Sequence, residues 1–233
     1  MRAAALILSV LAPIALTIAG GPALSQEVFL VQYIDVTPAG KDTAAAALRE
    51  VRATVIKAEG NQMFEVFAES ARPTRFAVVS SWRDQKAVDA YGSSATHRLL
   101  RDKVELVRVT PFDDRWLSLL AGDPAGGGVG GRPVAGPGAI HIVTHMDSIP
   151  PFKDEAAEAL KQLAEASVRQ PGVVRYQVLV QTNRPNHFKL IETWADQKAF
   201  DAHVASGPAK QFRDFVQKGT GSPYDERIYK IIN

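Results

Sequence analysis

Apolar residues recur along the chain with two spacings, and these predict strands and helices in the same order twice. The β-rich runs VFLVQYI and IHIVTHM each predict a first strand. Ala44, Leu48, Val51 and Val55 follow at helical spacing and predict an amphipathic helix. MFEVFA and FAVVSSW predict two more strands, followed by a second helix that breaks near Ser94 and a short last strand. The order βαββαβ is that of a ferredoxin-like, split-βαβ unit.

The second half of the chain repeats the first without a gap, at a constant offset of 112 residues. Trp82 and Trp194 each open the pattern W-x-D-Q-K-A-x-D-A. The same offset aligns Gly60 with Gly172, which suit the left-handed position after a helix. We therefore predict one domain copy over 28–120 and a second over 140–233. The glycines and prolines of 121–139 cannot build a core and predict a flexible linker.

The N-terminal segment 1–25 has the pattern of a signal peptide. Arg2 precedes an almost wholly apolar run over 3–19, and Ala23-Leu24-Ser25 offers small residues where a signal peptidase reads. The alternative is a membrane anchor, but a proline interrupts the run and a cleavage-like site follows it. We expect a secreted or periplasmic protein that begins near Gln26 and has no membrane anchor after cleavage.

Composition and charge narrow the classes of function. The chain has 27 basic and 25 acidic residues and a formal net charge of +2, with no basic stripe, so we expect no nucleic-acid partner. It has no cysteine, which excludes disulfides, thiolate metal sites and cysteine nucleophiles.

A short motif at the end of the third strand and the start of the second helix resembles that of the antibiotic-biosynthesis monooxygenase (ABM) family. In the second copy the residues are Glu192-Thr193-Trp194, then Asp196, Ala199, Ala202 and His203. The first copy has Trp82, Asp84, Ala87 and Ala90, but Ser80 and Tyr91 in place of the glutamate and histidine. The resemblance implies an α+β fold in which two units pair as a dimeric α/β barrel. Both units lie on this chain, so we expect an intramolecular pseudo-dimer, with further oligomerisation left open.

The resemblance also implies a pocket between sheet and helices, with residues from the end of the first strand and from the second helix. In the second copy, His145 and His203 would converge as candidate general bases, and Glu192 would orient them. A purely structural role for each of the three is the competing interpretation.

In the first copy, Tyr33 and Tyr91 would converge in the same way. With Trp82 and Trp194 they are the candidate substrate-binding residues, although all four aromatic side chains are also typical of a core. His187 is expected to be solvated at a hairpin tip. A metal site could be formed from His141, His145, His203 and Glu192, but His141 and His145 lie about 13 Å apart along a strand and cannot share one ion. We therefore expect no metal site.

The resemblance implies a cofactor-independent monooxygenase that acts on a small quinol or polyphenol-type aromatic substrate with molecular oxygen. An electron-rich phenolate can itself pass an electron to oxygen, so no cofactor is expected. The alternative is a non-catalytic periplasmic small-molecule-binding protein or a degenerate repeat protein. An isomerase-like or stress-response role is a third hypothesis, because this fold hosts several functions.

Overall fold

The computed structural model describes residues 27–123 and 135–232. The predicted signal peptide and the middle of the predicted linker lie outside the described residues. Within those ranges, no helix has the length and apolar character needed to cross a membrane.

Each copy folds as predicted, with its second helix broken into two. Asp84 and Asp196 cap the first of these two helices, each accepting a hydrogen bond from the backbone N–H three residues on, at 2.8 Å. The first copy comprises β1 (Val28–Asp35), α1 (Lys41–Val55), β2 (Asn61–Glu69), β3 (Arg75–Trp82), α2 (Gln85–Gly92), α3 (Ala95–Glu105) and β4 (Asp113–Gly122). The second comprises β5 (Ile140–Asp147), α4 (Lys153–Ser167), β6 (Val173–Gln181), β7 (Arg184–Trp194), α5 (Gln197–Ala205), α6 (Gly207–Gly219) and β8 (Asp225–Ile231).

One detail differs from the sequence-based expectation. Arg72-Pro73 lies in the turn between β2 and β3, as predicted, but Arg184-Pro185 lies inside β7. The second hairpin is therefore longer than the first, and its turn is at Thr182 and Asn183.

The eight strands form one closed, wholly antiparallel barrel in the order β1-β3-β2-β8-β5-β7-β6-β4. Within each copy the sheet order is that of a ferredoxin-like unit. The copies join at two seams, where the last strand of each pairs with the second strand of the other. The predicted intramolecular α/β barrel is thus confirmed.

Side chains separate into three cores because successive residues on a strand point to opposite faces. One face of each copy packs on its own helices, around Trp82 in the first and Trp194 in the second. The opposite faces of both copies meet inside the barrel. That interior is filled by apolar residues of both copies, including Phe29, Val31, Phe67, Val79, Val143, Leu179 and Ile191.

β1 and β5 run in the same direction in the barrel order, so corresponding parts of the two copies lie at the same end. We call one end the barrel mouth: it holds the ends of β1 and β5 and the starts of β3, β4, β7 and β8. At the opposite end, Arg175 of the second copy pairs with Glu65 of the first at 2.7 Å.

Gly60 and Gly172 have positive φ, 78° and 81°, after the first helix of each copy. A Cβ on Gly172 would lie 2.5 Å from the Cβ of Ala199, and one on Gly60 equally close to that of Ala87. The turn therefore requires glycine for two reasons, namely its backbone conformation and the close approach of the capped helix.

We predict that Gly172→Ala lowers the free energy of unfolding by about 1–3 kcal/mol, because it adds left-handed strain and a collision. Ala199→Gly in the same chain should relieve the collision but not the strain. The double variant should therefore be more stable than the sum of the single changes by about 1 kcal/mol. Urea denaturation measures all three.

Gly207→Ala is the matched control, since nothing lies within 4 Å of its added methyl and its φ is not positive. Strict additivity of the Gly172 and Ala199 changes would contradict the proposed contact.

Candidate functional site

A cavity of about 260 Å³ opens at the barrel mouth. Both copies line it: Tyr33 and Arg115 from the first, and His145, Lys189 and Arg227 from the second. Val143 adds an apolar patch to the lining. The cavity thus combines one aromatic ring and a small apolar patch with convergent charged and polar groups.

The residues around the mouth fall into equivalent pairs, since positions 112 apart are related by the repeat. Three pairs are identical and carry charge. They are Asp35 with Asp147, Asp113 with Asp225, and Arg115 with Arg227. Three other pairs differ. They are Tyr33 with His145, Arg75 with His187, and Ala77 with Lys189. We call the three identical pairs the charged rim, and the rim is symmetric between the copies. The three differing pairs make the rest of the mouth asymmetric.

The rim charges are largely paired within each copy. Arg115 donates to both carboxylate oxygens of Asp113, with Nη2 at 2.8 Å from Oδ2. Arg227 approaches the equivalent Asp225 at 2.6 Å. Because each guanidinium faces a carboxylate, the rim alone leaves no large excess of positive charge.

His145 is held from three sides. Arg115 Nη1 lies 3.0 Å from Nε2, Asp147 Oδ1 lies 2.7 Å from the same nitrogen, and the Phe188 carbonyl lies 3.3 Å from Nδ1. Burial lowers the pKa of His145 to about 4, and the positive charge of Arg115 acts in the same direction. The imidazole is therefore neutral at pH 7 and keeps a lone pair.

Lys189 is 1% exposed and lies beside His145 on the neighbouring strand. Its Nζ is 4.7 Å from the centroid of the Tyr33 ring. Burial lowers the pKa of Lys189 well below its ordinary value, and the Arg115 charge lowers it further. This is the buried titratable group that sequence reasoning missed. The signal for it was a lysine within an apolar strand, where the repeat has Ala77.

His145, Asp147 and His187 bring three ligand-type atoms within 4.8 Å of one another and could in principle surround a divalent cation. The Arg115 guanidinium lies 3.0 Å from His145 Nε2, and its positive charge opposes a cation there. The expectation of no metal stays a prediction. The prediction that His187 is solvated is wrong. Its side chain is 18% exposed and its Nδ1 lies 2.6 Å from Asp147 Oδ1. The reason is that β7 begins earlier than expected and includes His187.

The predicted second-copy residues Glu192, Trp194 and His203 meet between sheet and helices. Trp194 Nε1 donates to Glu192 Oε2 at 2.9 Å, and the His203 ring stacks on Trp194 at 4.6 Å. His203 Nε2 is 3.8 Å from the same glutamate oxygen, which is too long for a hydrogen bond. Gln170 Oε1 lies 3.0 Å from Nδ1, which places the proton on that nitrogen.

Burial shifts the pKa values of Glu192 and His203 in opposite directions. It raises the pKa of Glu192 to about 8, against the hydrogen bond from Trp194, and it lowers the pKa of His203 to about 4, with a further contribution from Arg213. Although the distance qualifies as an ion pair, both groups are mainly neutral at pH 7. Because both side chains are buried, the contact is one between two neutral groups.

The first copy repeats this arrangement with other residues. Trp82 Nε1 donates to Ser80 Oγ at 3.1 Å, and the Tyr91 ring stacks on Trp82 at 5.0 Å. The Tyr91 hydroxyl is buried without a hydrogen-bond partner in the described structure. In both copies, therefore, a buried tryptophan packs against the ring of a residue from the following helix.

The predicted convergence of His145 with His203, and of Tyr33 with Tyr91, is wrong. His145 and Tyr33 point into the barrel, whereas His203 and Tyr91 pack on the helix side of the sheet. The physical reason is the strand register: His145 pairs with Lys189, and Ile142 pairs with Glu192, so the two sets lie on opposite faces. Instead, the structure brings Tyr33 of one copy and His145 of the other to a single cavity.

Glu192→Gln tests the buried acid. A raised pKa means that the folded state holds a proton between pH 4.5 and about 8 that the unfolded state has released. The stability that this acid provides is complete below pH 4.5 and is lost as the pH rises through 8. Glutamine does not titrate and still accepts from Trp194. The variant should therefore gain stability over the native chain by up to ~5 kcal/mol between pH 5 and 9, measured by urea denaturation.

Ser80→Ala, at the equivalent position of the first copy, is the control and should shift stability equally at every pH. Parallel curves for Glu192→Gln and the native chain would mean that Glu192 ionises normally.

Comparison with known proteins shows which family the chain belongs to. The model of the family described as antibiotic biosynthesis monooxygenase matches residues 27–103 and 139–217. No protein with a curated description matches the chain.

Solved structures share the two-copy fold at low sequence identity. A candidate monooxygenase from Fusobacterium nucleatum is 13% identical, with a TM-score of 0.78 over 91% of this chain and 94% of that one. One from Lactobacillus acidophilus is 13% identical, with a TM-score of 0.71 over 90% and 95%. An anthrone oxidase-like protein is 16% identical, with a TM-score of 0.65 over 90% and 92%. The family match supports a monooxygenase-like function, and this two-copy chain belongs to the antibiotic biosynthesis monooxygenase family.

Proposed function

We propose that the protein is a cofactor-independent monooxygenase that oxidises a small quinol or polyphenol-type substrate in the cavity at the barrel mouth. The observation that carries the proposal is the meeting of Tyr33 and His145, from different copies, on one cavity. Family membership supports the reaction type. The substrate class rests on the chemistry of the lining.

The Tyr33 ring and Val143 offer apolar contact to one aromatic ring. His145 keeps a lone pair at neutral pH and is the general base that takes the proton of the substrate hydroxyl. The imidazolium that forms lies 2.7 Å from the Asp147 carboxylate, which stabilises it. The phenolate forms beside this imidazolium and the Arg115 guanidinium, so negative charge appears next to positive charge.

The reaction then needs only oxygen. The phenolate passes one electron to O₂, and the two radicals combine at a ring carbon bearing hydrogen to give a peroxide. Loss of water from the peroxide leaves a quinone. One oxygen atom enters the product and the other leaves as water, so atoms and electrons balance without a further reductant.

His203 and Glu192 remain alternative members of a site in the second copy. Their close packing against Trp194 favours a structural role, because stacked and hydrogen-bonded rings occupy the space between sheet and helix. The competing function is a non-catalytic small-molecule-binding protein, for which the same cavity would serve.

Oxygen uptake with a panel of hydroquinones separates these functions. The native protein should consume oxygen with at least one of them, and His145→Ala should lower kcat/KM about 10²–10⁴-fold. Because its pKa lies near 4, the native enzyme should show no loss of kcat/KM around pH 6.5, where an ordinary histidine titrates.

His203→Tyr places the residue of the first copy at the equivalent position and keeps a ring on Trp194. It should reduce kcat/KM far less than His145→Ala. The opposite ranking would move the base to His203. Quinol binding without oxygen uptake would instead favour the binding protein.

We also propose that the protein is exported, on the strength of the apolar run over 3–19 and the small residues at 23–25. When the full chain is expressed in a bacterial host, periplasmic material should have the intact mass of a chain that begins near Gln26. A mature form that retains Met1 would refute export by cleavage. Replacing Ala23 and Ser25 with bulky residues should block processing.

A further inference from the structure

The Lys189 amine is a buried functional group that the proposed oxygen chemistry does not use. Its side chain is 1% exposed, yet it lines the cavity at the barrel mouth. Among the described residues it has neither a hydrogen bond nor a carboxylate at ion-pair distance, and its Nζ lies 4.7 Å from the centroid of the Tyr33 ring. An ammonium ion in that position loses its hydration, and the negative charges of Asp113, Asp147 and Asp225 offset only part of that cost.

Equivalent positions show that the fold does not require this lysine. Ala77 occupies the same place in the first copy, is fully buried and belongs to the apolar interior. Burying a lysine costs free energy unless its amine is paired, whereas alanine occupies the equivalent site without that cost.

We infer that Lys189 is a nucleophilic amine that captures small aldehydes or ketones in the barrel-mouth cavity as a reversible imine. This activity is independent of the proposed oxidation. An unpaired, desolvated lysine is suited to it, because the neutral amine is the reacting form. The lowered pKa of Lys189 agrees with that form.

Imine formation needs only the amine, the carbonyl compound and a proton transfer. The Nζ lone pair attacks the carbonyl carbon, a C–N bond forms, and a proton passes from nitrogen to oxygen to give a carbinolamine. Loss of the hydroxyl as water then gives the C=N bond, with no oxidant or reductant consumed.

His145 is the cross-strand partner of Lys189 and can carry the proton between nitrogen and oxygen. Asp113, Asp147 and Asp225 contribute negative charge around the amine and stabilise the cationic iminium. Tyr33 packs beside the captured carbon, so a small aromatic carbonyl compound fits best.

Reductive trapping tests the inference on the intact native chain. We would incubate the protein with salicylaldehyde and cyanoborohydride and map the modified lysines by peptide mass spectrometry. Lys189 should be labelled at least about ten-fold faster than the surface residues Lys198 and Lys230, although it is far less exposed. Labelling of Lys189 at or below the surface rate would overturn the proposal, and this comparison needs no variant.

Variants locate the reactivity. Lys189→Met should abolish the fast phase of labelling, whereas Lys198→Arg should leave it intact. Fast labelling that persists in a folded Lys189→Met protein would overturn the assignment.

His145→Ala should slow the formation of the adduct at Lys189 several-fold without changing the site of labelling. An unchanged rate would mean that His145 does not carry the proton. Because the readout is a covalent adduct, its outcome is separate from any result on oxygen uptake.

Discussion

Hydrogen bonding between strand edges of the two copies is the constraint on which the rest of the structure depends. A ferredoxin-like unit leaves one sheet face and two strand edges uncovered, and the closed barrel covers all of them at once. The two seams differ in length, since β4 and β6 pair over Leu117 to Gly122 while β2 and β8 pair over only three residues. The apolar interior and the cavity at the mouth exist only because both seams are closed.

Joining the copies on one chain allows the cavity to be asymmetric. In a barrel of two identical chains, every residue at the mouth would occur twice about the axis. Here the charged rim keeps that symmetry, whereas the position of Tyr33 is occupied by His145 in the second copy and that of Ala77 by Lys189. Two buried lysines or two buried imidazoles near the axis would repel when protonated. Duplication followed by divergence thus permits one amine and one base in a space that could not hold two of each.

Much of the fold could be predicted from the sequence because its signals are local. Strand and helix order, the Asp84 and Asp196 caps and the two positive-φ glycines follow from residue type and spacing. The site could be predicted only in part. Alternation shows which residues share a face, but not which face meets the helices, so His145 and His203 were placed together although the sheet separates them. Lys189 escaped notice because its signal, a lysine where the first copy has Ala77, does not show whether the amine is buried or reaches solvent.

The short seam between β2 and β8 has a consequence for the order of folding. Phe67 pairs with Ile231, so β2, which is synthesised early, stays unpaired on this edge until β8 of the second copy has been synthesised. Until then the first copy has an open β2 edge and an apolar sheet face, which is the condition under which nascent chains associate wrongly or exchange elements with a neighbour. A chain that lacks only β8 would keep the cores around Trp82 and Trp194, but its barrel would stay open. Its uncovered strand edges would then pair with those of another molecule.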